Sequence, residues 1–80
     1  MPISSTSAIE RIARVIAAQR LSINAEGSDP SAADAVEMEW EAHRDDACAI
    51  LRTLREPDER MAAAGDADQW ERMVIAALAD

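Results

Sequence analysis

The sequence predicts an all-α fold, a compact four-helix bundle with one long and one short helix, built as a single domain from residues 1–80. Alanine is abundant, and Trp40 and Trp70 are the only aromatic residues, which favours helices over strands. Apolar residues recur at steps of three and four along most of the chain, the spacing of one helix face. Because 80 residues cannot bury two separate cores, one helical core is expected.

The first helix is predicted to begin after Ser7 and to end near residues 20–21. Ser7 and Glu10 have the spacing of a capping box, in which each side chain pairs with an unpaired backbone N–H of the other residue. Apolar residues then share one face: Ile9, Ile12, Ala13 and Ile16. Residues 22–29 have no periodicity, so we expect a loop there, with Ile23 held against the core.

A long second helix is predicted from Asp29 to about Arg55. Asp29 is suited to the N-cap, and Pro30 to the first helical position, where its missing N–H costs nothing. Pro57 prevents the helix from continuing. Between these signals, apolar residues and one histidine form a stripe: Ala33, Val36, Trp40, His43, Ala47, Ile50 and Leu54.

Two shorter helices are predicted in the last third of the chain. The third helix opens at Pro57, carries Met61 and Ala64 towards the core, and closes at Gly65. Asp66 is placed to cap the fourth helix. The apolar face of that helix follows helical spacing closely: Trp70, Met73, Val74, Ala77 and Leu78.

The charge balance limits the partners that the chain can bind. Eight arginines and no lysine stand against 16 acidic residues, a net charge of −8. Direct binding to nucleic acid or to an anionic membrane is therefore disfavoured, and the basic surface of a host protein complex is the expected partner. The single Cys48 cannot form an internal disulfide, and no apolar stretch has the length of a signal sequence or membrane span. We therefore expect a cytoplasmic location in the host cell.

Four carboxylates form an acidic ridge on the predicted long helix, namely Asp34, Glu37, Glu41 and Asp45. At about 100° per residue they lie within an arc of roughly 80°, turned away from the apolar stripe. One interpretation is a solvated face that keeps the chain soluble. The other is a partner-binding surface whose carboxylates stand in for nucleic-acid phosphates in a basic groove. A divalent metal site is a weaker third interpretation, because no calcium-binding loop is present.

Catalysis is not expected. The sequence has no glycine-rich phosphate loop, nucleophile elbow, Cys-x-x-Cys pair or paired histidines, so no enzyme activity, cofactor or metal is predicted. His43 is expected to be a half-buried core residue, and Cys48 a small hydrophobic residue at the edge of the stripe. Arg11 and Arg14, on the outer face of the first helix, either pair with acids of the next helix or serve an interface.

Three segments resemble a group of small helical proteins encoded by bacteriophages and prophages. They are residues 9–16, the stretch Leu54-Arg55-Glu56-Pro57 followed by Met61 and Ala64-Gly65, and the closing Trp-x-x-Met helix at residues 70–78. The resemblance implies a phage setting, in which small proteins often bind and disable host defence machinery. In size and acidity, though in no residue motif, the chain is also similar to anti-CRISPR proteins that occupy a positively charged DNA channel.

Two functions of different classes follow. The first is a phage-derived inhibitor that binds a host nucleic-acid-handling defence complex through the acidic ridge. The alternative is a self-associating structural or regulatory module, in which the ridge only solubilises and the apolar stripes of two copies complete a shared core as a homodimer. An exposed apolar stripe favours self-association. A covered stripe beside an uninterrupted negative patch favours the inhibitor.

Overall fold

The computed structural model describes residues 2–25 and 32–79 and confirms the all-α fold. Within those ranges there is no strand, and the helices are α1 (Ala8–Ala25), α2 (Ala32–Glu39), α3 (Arg44–Leu54), α4 (Glu59–Ala64) and α5 (Ala67–Leu78). A 3₁₀ turn (Trp40–His43) joins α2 to α3 without a break. These three elements together are the predicted long helix, α4 is the short one, and the bundle measures 42 × 25 × 24 Å.

Helix α1 starts as predicted and ends later than predicted. The Ser7 Oγ accepts from the Glu10 backbone N–H at 3.1 Å, which confirms the N-cap. The expected loop at residues 22–29 is wrong for its first part, because α1 continues to Ala25. No proline or glycine interrupts the helix before that point. The rest of that loop, the side chain of Ile23 and the Asp29–Pro30 start signal lie outside what the structure describes.

The predicted stripe of the long helix is partly wrong. Trp40 and Ala47 are buried as expected, but Leu51 is buried in α3 where Ile50 was predicted, and Ile50 is 40% exposed. An alternation of three and four residues averages 3.5 per turn, whereas an α-helix has 3.6. Within α3, Leu51 lies about 40° from the buried Ala47 on a helical wheel, and Ile50 lies about 60° away on the other side. Leu54, the last residue of the stripe, is 41% exposed.

Helices α4 and α5 each have a side-chain N-cap, but together they bury only one residue. Asp58 Oδ1 accepts from the Met61 N–H at 2.9 Å, and Asp66 Oδ1 accepts from the Gln69 N–H at 3.0 Å. The prediction that Met61 and Ala64 face the core is wrong, because α4 has no buried residue. In α5 only Val74 is buried. A helix of six residues has under two turns, and no described element covers its apolar side.

The core lies where α1 crosses the 3₁₀ turn and α3. It consists of seven buried residues: Ile9, Ala13, Ala17, Trp40, Ala47, Leu51 and Val74. Three of them are alanines, whose small side chains allow helix backbones to approach closely, and Trp40 is the largest residue of the cluster. Ile9 is the largest of the side chains that are fully buried. The closed core therefore belongs mostly to the first two thirds of the chain.

Candidate functional site

Arg14 links α1 to the long helix through a cluster that also contains Glu10, Glu37 and Trp40. Its Nη1 and Nη2 donate to the two carboxylate oxygens of Glu37 at 2.7 and 3.0 Å. Its Nε donates to Glu10 Oε2 at 2.7 Å, one turn earlier on α1. The guanidinium also lies 5.2 Å from the centre of the Trp40 ring. We call these four residues the Arg14 cluster, and they fasten the two helices together at their outer edge.

The electrostatics of the Arg14 cluster keep both partners charged. Hydrogen bonds from Arg14, reinforced by its positive charge, lower the pKa of Glu37 below its ordinary value. The same bond to Glu37, followed by the bond to Glu10, raises the pKa of Arg14 above its already high ordinary value. Of the two roles predicted for Arg14, the structure shows the pairing with an acid of the next helix.

The acidic ridge is exposed and spread over three elements. Asp34 and Glu37 lie on α2, Glu41 on the 3₁₀ turn and Asp45 on α3. Glu37 is occupied by Arg14, so one of the four carboxylates carries an internal counter-charge. The other three form no ion pair with any residue in the described ranges. The ridge is thus a row of accessible carboxylates with its second position neutralised.

Two guanidinium groups lie near the ring of Trp40. Arg14 is 5.2 Å from the ring centre, and Arg44 is 5.8 Å from it. Such cation–π contacts hold an aromatic ring at the point where it meets the surface. Because Trp40 is 9% exposed, it serves the fold and offers little surface to a partner.

Trp70 forms a hydrogen bond at the other end of the long helix. Its Nε1 donates to the backbone oxygen of Leu54 at 2.6 Å. Leu54 is the last residue of α3, and its carbonyl lies among those that a helix leaves without an internal partner. The half-buried indole therefore holds α5 against the end of α3, and it fixes the position of the segment that lies between them.

An apolar groove opens between α4 and α5. Its walls are formed chiefly by Pro57, Met61, Ala64, Ala67, Trp70 and Met73, and its volume is about 380 Å³. Met73 is 59% exposed and Met61 37%. The groove is open along one side and has few polar groups, so it lacks the converging donors and acceptors that orient a small substrate. It is suited to apolar side chains of another helix.

Sequence patterns pointed to three of these groove residues but assigned all three to the core, and of the three only Trp70 packs against it. Met61, Trp70 and Met73 were expected to face inward because they lie on apolar stripes. A stripe identifies the apolar face of a helix, but it does not say whether another element covers that face. One feature could have indicated the exposure of Met61. Helix α4 has only six residues, which can form only a small packed interface.

His43 lies on the 3₁₀ turn and Cys48 on α3. His43 is half-buried, and its Nδ1 is 3.9 Å from Asp46 Oδ2. Cys48 is half-buried and packs against the core residues, as predicted for a small hydrophobic side chain. Among the residues that the structure describes, no three histidine, cysteine or acidic side chains are grouped as metal ligands. None of the described helices has the length and apolar character needed to cross a membrane.

Comparison with known proteins found no match. No protein-family model matches the chain, and no curated protein or solved structure matches it either.

Proposed function

We propose that this chain is a self-associating helical module without catalytic activity, in which two copies complete a shared core. The observation that carries the proposal is the contrast between a small closed core and a large exposed apolar surface. Three of the seven core residues are alanines. Large hydrophobic side chains stay exposed on α3, α4 and α5: Ile50, Leu54, Met61, Met73 and Ile75. Exposed apolar surface of this kind is typical of protein interfaces.

The size of the chain supports this proposal. A domain of about 80 residues buries a modest fraction of its surface and is marginally stable by itself. Association with a second copy removes further apolar surface from water at about 25 cal/mol per Å² before the entropy cost of association. The acidic ridge then keeps the assembled protein soluble, since like-charged surfaces repel each other.

Sedimentation equilibrium over roughly a hundredfold range of protein concentration tests this proposal, together with Tm measured at the same concentrations. We expect a mass above 8.7 kDa that rises to that of a dimer, and a Tm that increases with concentration. A mass of one chain and a constant Tm throughout would show that the proposal is wrong.

A second candidate function is inhibition of a host nucleic-acid-handling complex, which fits the resemblance to small helical phage proteins. Asp34, Glu41 and Asp45 are exposed and make no ion pair with a described residue, which favours it. In this view the three carboxylates occupy sites on a basic surface that otherwise bind phosphate groups. Glu37 is engaged by Arg14 and contributes less.

A pulldown from host lysate tests this second candidate with the double variant Glu41→Arg, Asp45→Arg. Both changes leave the Arg14 cluster intact. The matched control is Glu39→Arg, Asp46→Arg, which makes the same charge change on exposed positions of the same segment but away from the ridge. We expect native and control proteins to capture a nucleic-acid-binding complex at low salt and the ridge variant to lose it. Equal capture by all three proteins would exclude the ridge as the binding surface.

A further inference from the structure

The C-terminal segment, which we define as residues 58–79, is anchored to the rest of the chain through α5. Its residues that belong to the core or pack against it all lie on that helix: Trp70, Val74, Ala77 and Leu78. Helix α5 contacts α3 and, to a smaller extent, α1. Helix α4 supplies no residue to the core and buries none. Little therefore holds α4 in place once α5 detaches.

Few polar contacts join the C-terminal segment to the preceding helices. Within the described ranges one hydrogen bond crosses between them, from Trp70 Nε1 to the Leu54 carbonyl, and no ion pair does. The segment has five acids and two arginines, a net charge of −3, whereas α3 has two aspartates and two arginines and is neutral. Net charge therefore adds no attraction that would hold α5 against α3.

The core is nearly complete without the C-terminal segment. Six of its seven buried residues lie on α1, the 3₁₀ turn and α3: Ile9, Ala13, Ala17, Trp40, Ala47 and Leu51. The two hydrogen bonds from Arg14 to Glu37 also join α1 to α2 without any part of the segment. Detachment of α5 therefore removes Val74 from the core and leaves the other buried residues with their partners on α1, the turn and α3.

Residues 55–57 have the features of a hinge between α3 and the C-terminal segment. Helix α3 ends at Leu54, and the Arg55 N–H still bonds back to the Arg52 carbonyl at 3.3 Å. Pro57 has no N–H to donate, so helical hydrogen bonding does not continue across it. The cap at Asp58 belongs to α4 itself and can move with it. A few residues between two elements are sufficient to absorb such a rotation.

We infer that the C-terminal segment is a lid that opens at residues 55–57 while α1, α2 and α3 stay folded. Opening breaks the bond between Trp70 and Leu54 and withdraws Val74 from the core. A helix of 12 residues is marginal in water by itself, so the released α5 unfolds. The side of α3 and α1 that α5 covers then becomes accessible, and any ligand of that side binds the open form. The inference concerns the single chain and goes beyond the proposed self-association.

Native-state hydrogen exchange with two matched variants tests the lid. Ala17→Gly and Ala76→Gly each place a glycine inside a helix, which raises the population of any form with that helix unfolded by at least about fivefold. Ala17 lies on α1 one turn after Arg14, which pairs with α2, and Ala76 is exposed on α5. Exchange is measured at a concentration too low for association, so only opening of the single chain contributes.

The two variants should act asymmetrically. In the native protein we expect the amides of α5 to exchange faster than those of α1. Ala76→Gly should speed exchange in both helices, because α5 is unfolded in the open form and in the fully unfolded chain. Ala17→Gly should speed exchange in α1 and leave α5 unchanged, because α1 stays folded when the lid opens. An equal increase in both helices with Ala17→Gly would show that the chain unfolds as one unit, which overturns the inference.

Urea separates opening of the lid from fraying within α5. Opening exposes apolar surface, so exchange at residues 73–77 should accelerate as urea rises at concentrations below the global transition. Exchange that does not respond to urea there would indicate local fraying and overturn the lid. If Ala17→Gly loses the circular dichroism of a folded chain, Val36→Ala replaces it. Val36 is half-buried on α2, and its truncation should likewise speed exchange in α1 without affecting α5.

Discussion

Where α1 crosses the 3₁₀ turn and α3, the bundle is closed by buried alanines, by Trp40 and by the bidentate pair of Arg14 with Glu37. Helices α4 and α5, which we call the α4–α5 hairpin because only Gly65 and Asp66 separate them, have one aspartate cap each but bury only Val74. Local helix signals are thus strong in both regions, and tertiary burial is strong in one. The difference teaches that capping defines helices, whereas packing decides which of them contribute to global stability.

Truncating a large side chain in each region should give the largest contrast. Ile9→Ala removes a side chain that is 1% exposed, and we expect it to lower the free energy of unfolding by about 2–5 kcal/mol. Met73→Ala removes one that is mostly exposed, and at concentrations too low for association it should cost less than about 0.5 kcal/mol. Urea unfolding at low protein concentration measures both. Similar losses for the two variants would mean that the hairpin is as firmly packed as the core.

The two helix caps of the hairpin should differ in their effect on global stability. Asp66→Ala removes the cap of α5, which carries the buried Val74, and should lower the free energy of unfolding by about 1 kcal/mol. Asp58→Ala removes the cap of α4, which buries nothing, so α4 should fray while global unfolding changes little. Hydrogen exchange of the α4 amides, compared with urea unfolding, separates the two effects. A large global loss for Asp58→Ala would contradict the independence of α4.

The junction between the two regions depends on Trp70. Trp70→Phe keeps an aromatic ring but removes the donor to the Leu54 carbonyl, and we expect a loss of about 1 kcal/mol with faster hydrogen exchange in α5. Unchanged exchange would show that the 2.6 Å bond does not hold α5 against the end of α3.

Sequence reasoning succeeded where the signal is local. The caps at Ser7 and Asp66 follow from residues three positions apart, and the helix types follow from composition and periodicity. The exposure of Met73 could not be predicted in the same way, because it depends on whether another element covers α5. The pairing of Arg14 with Glu37 spans 23 positions, so neither residue identifies the other in the sequence. Long-range packing decides both points, and a single-sequence pattern does not encode it.

The smallest expected effect is a pH dependence confined to the Arg14 cluster. Arg14 lowers the pKa of Glu37, so this carboxylate binds its proton more weakly in the folded chain than in the unfolded one. The stabilisation is therefore fully present above the ordinary pKa of a glutamate, and it is lost as the pH falls through the lowered value. Glu37→Gln removes the titrating group but keeps its shape.

We expect Glu37→Gln to have a lower Tm than the native protein at neutral pH, and the two Tm values to converge in acid. Glu71→Gln, an exposed carboxylate on α5 that forms no ion pair with a described residue, is the matched control and should track the native protein throughout. If the gap between Glu37→Gln and the native protein persists at acidic pH, the charge of Glu37 is not what fastens α1 to α2. If no gap exists at neutral pH, the pair with Arg14 contributes nothing to stability, and the closed region depends on Trp40 and the alanines alone.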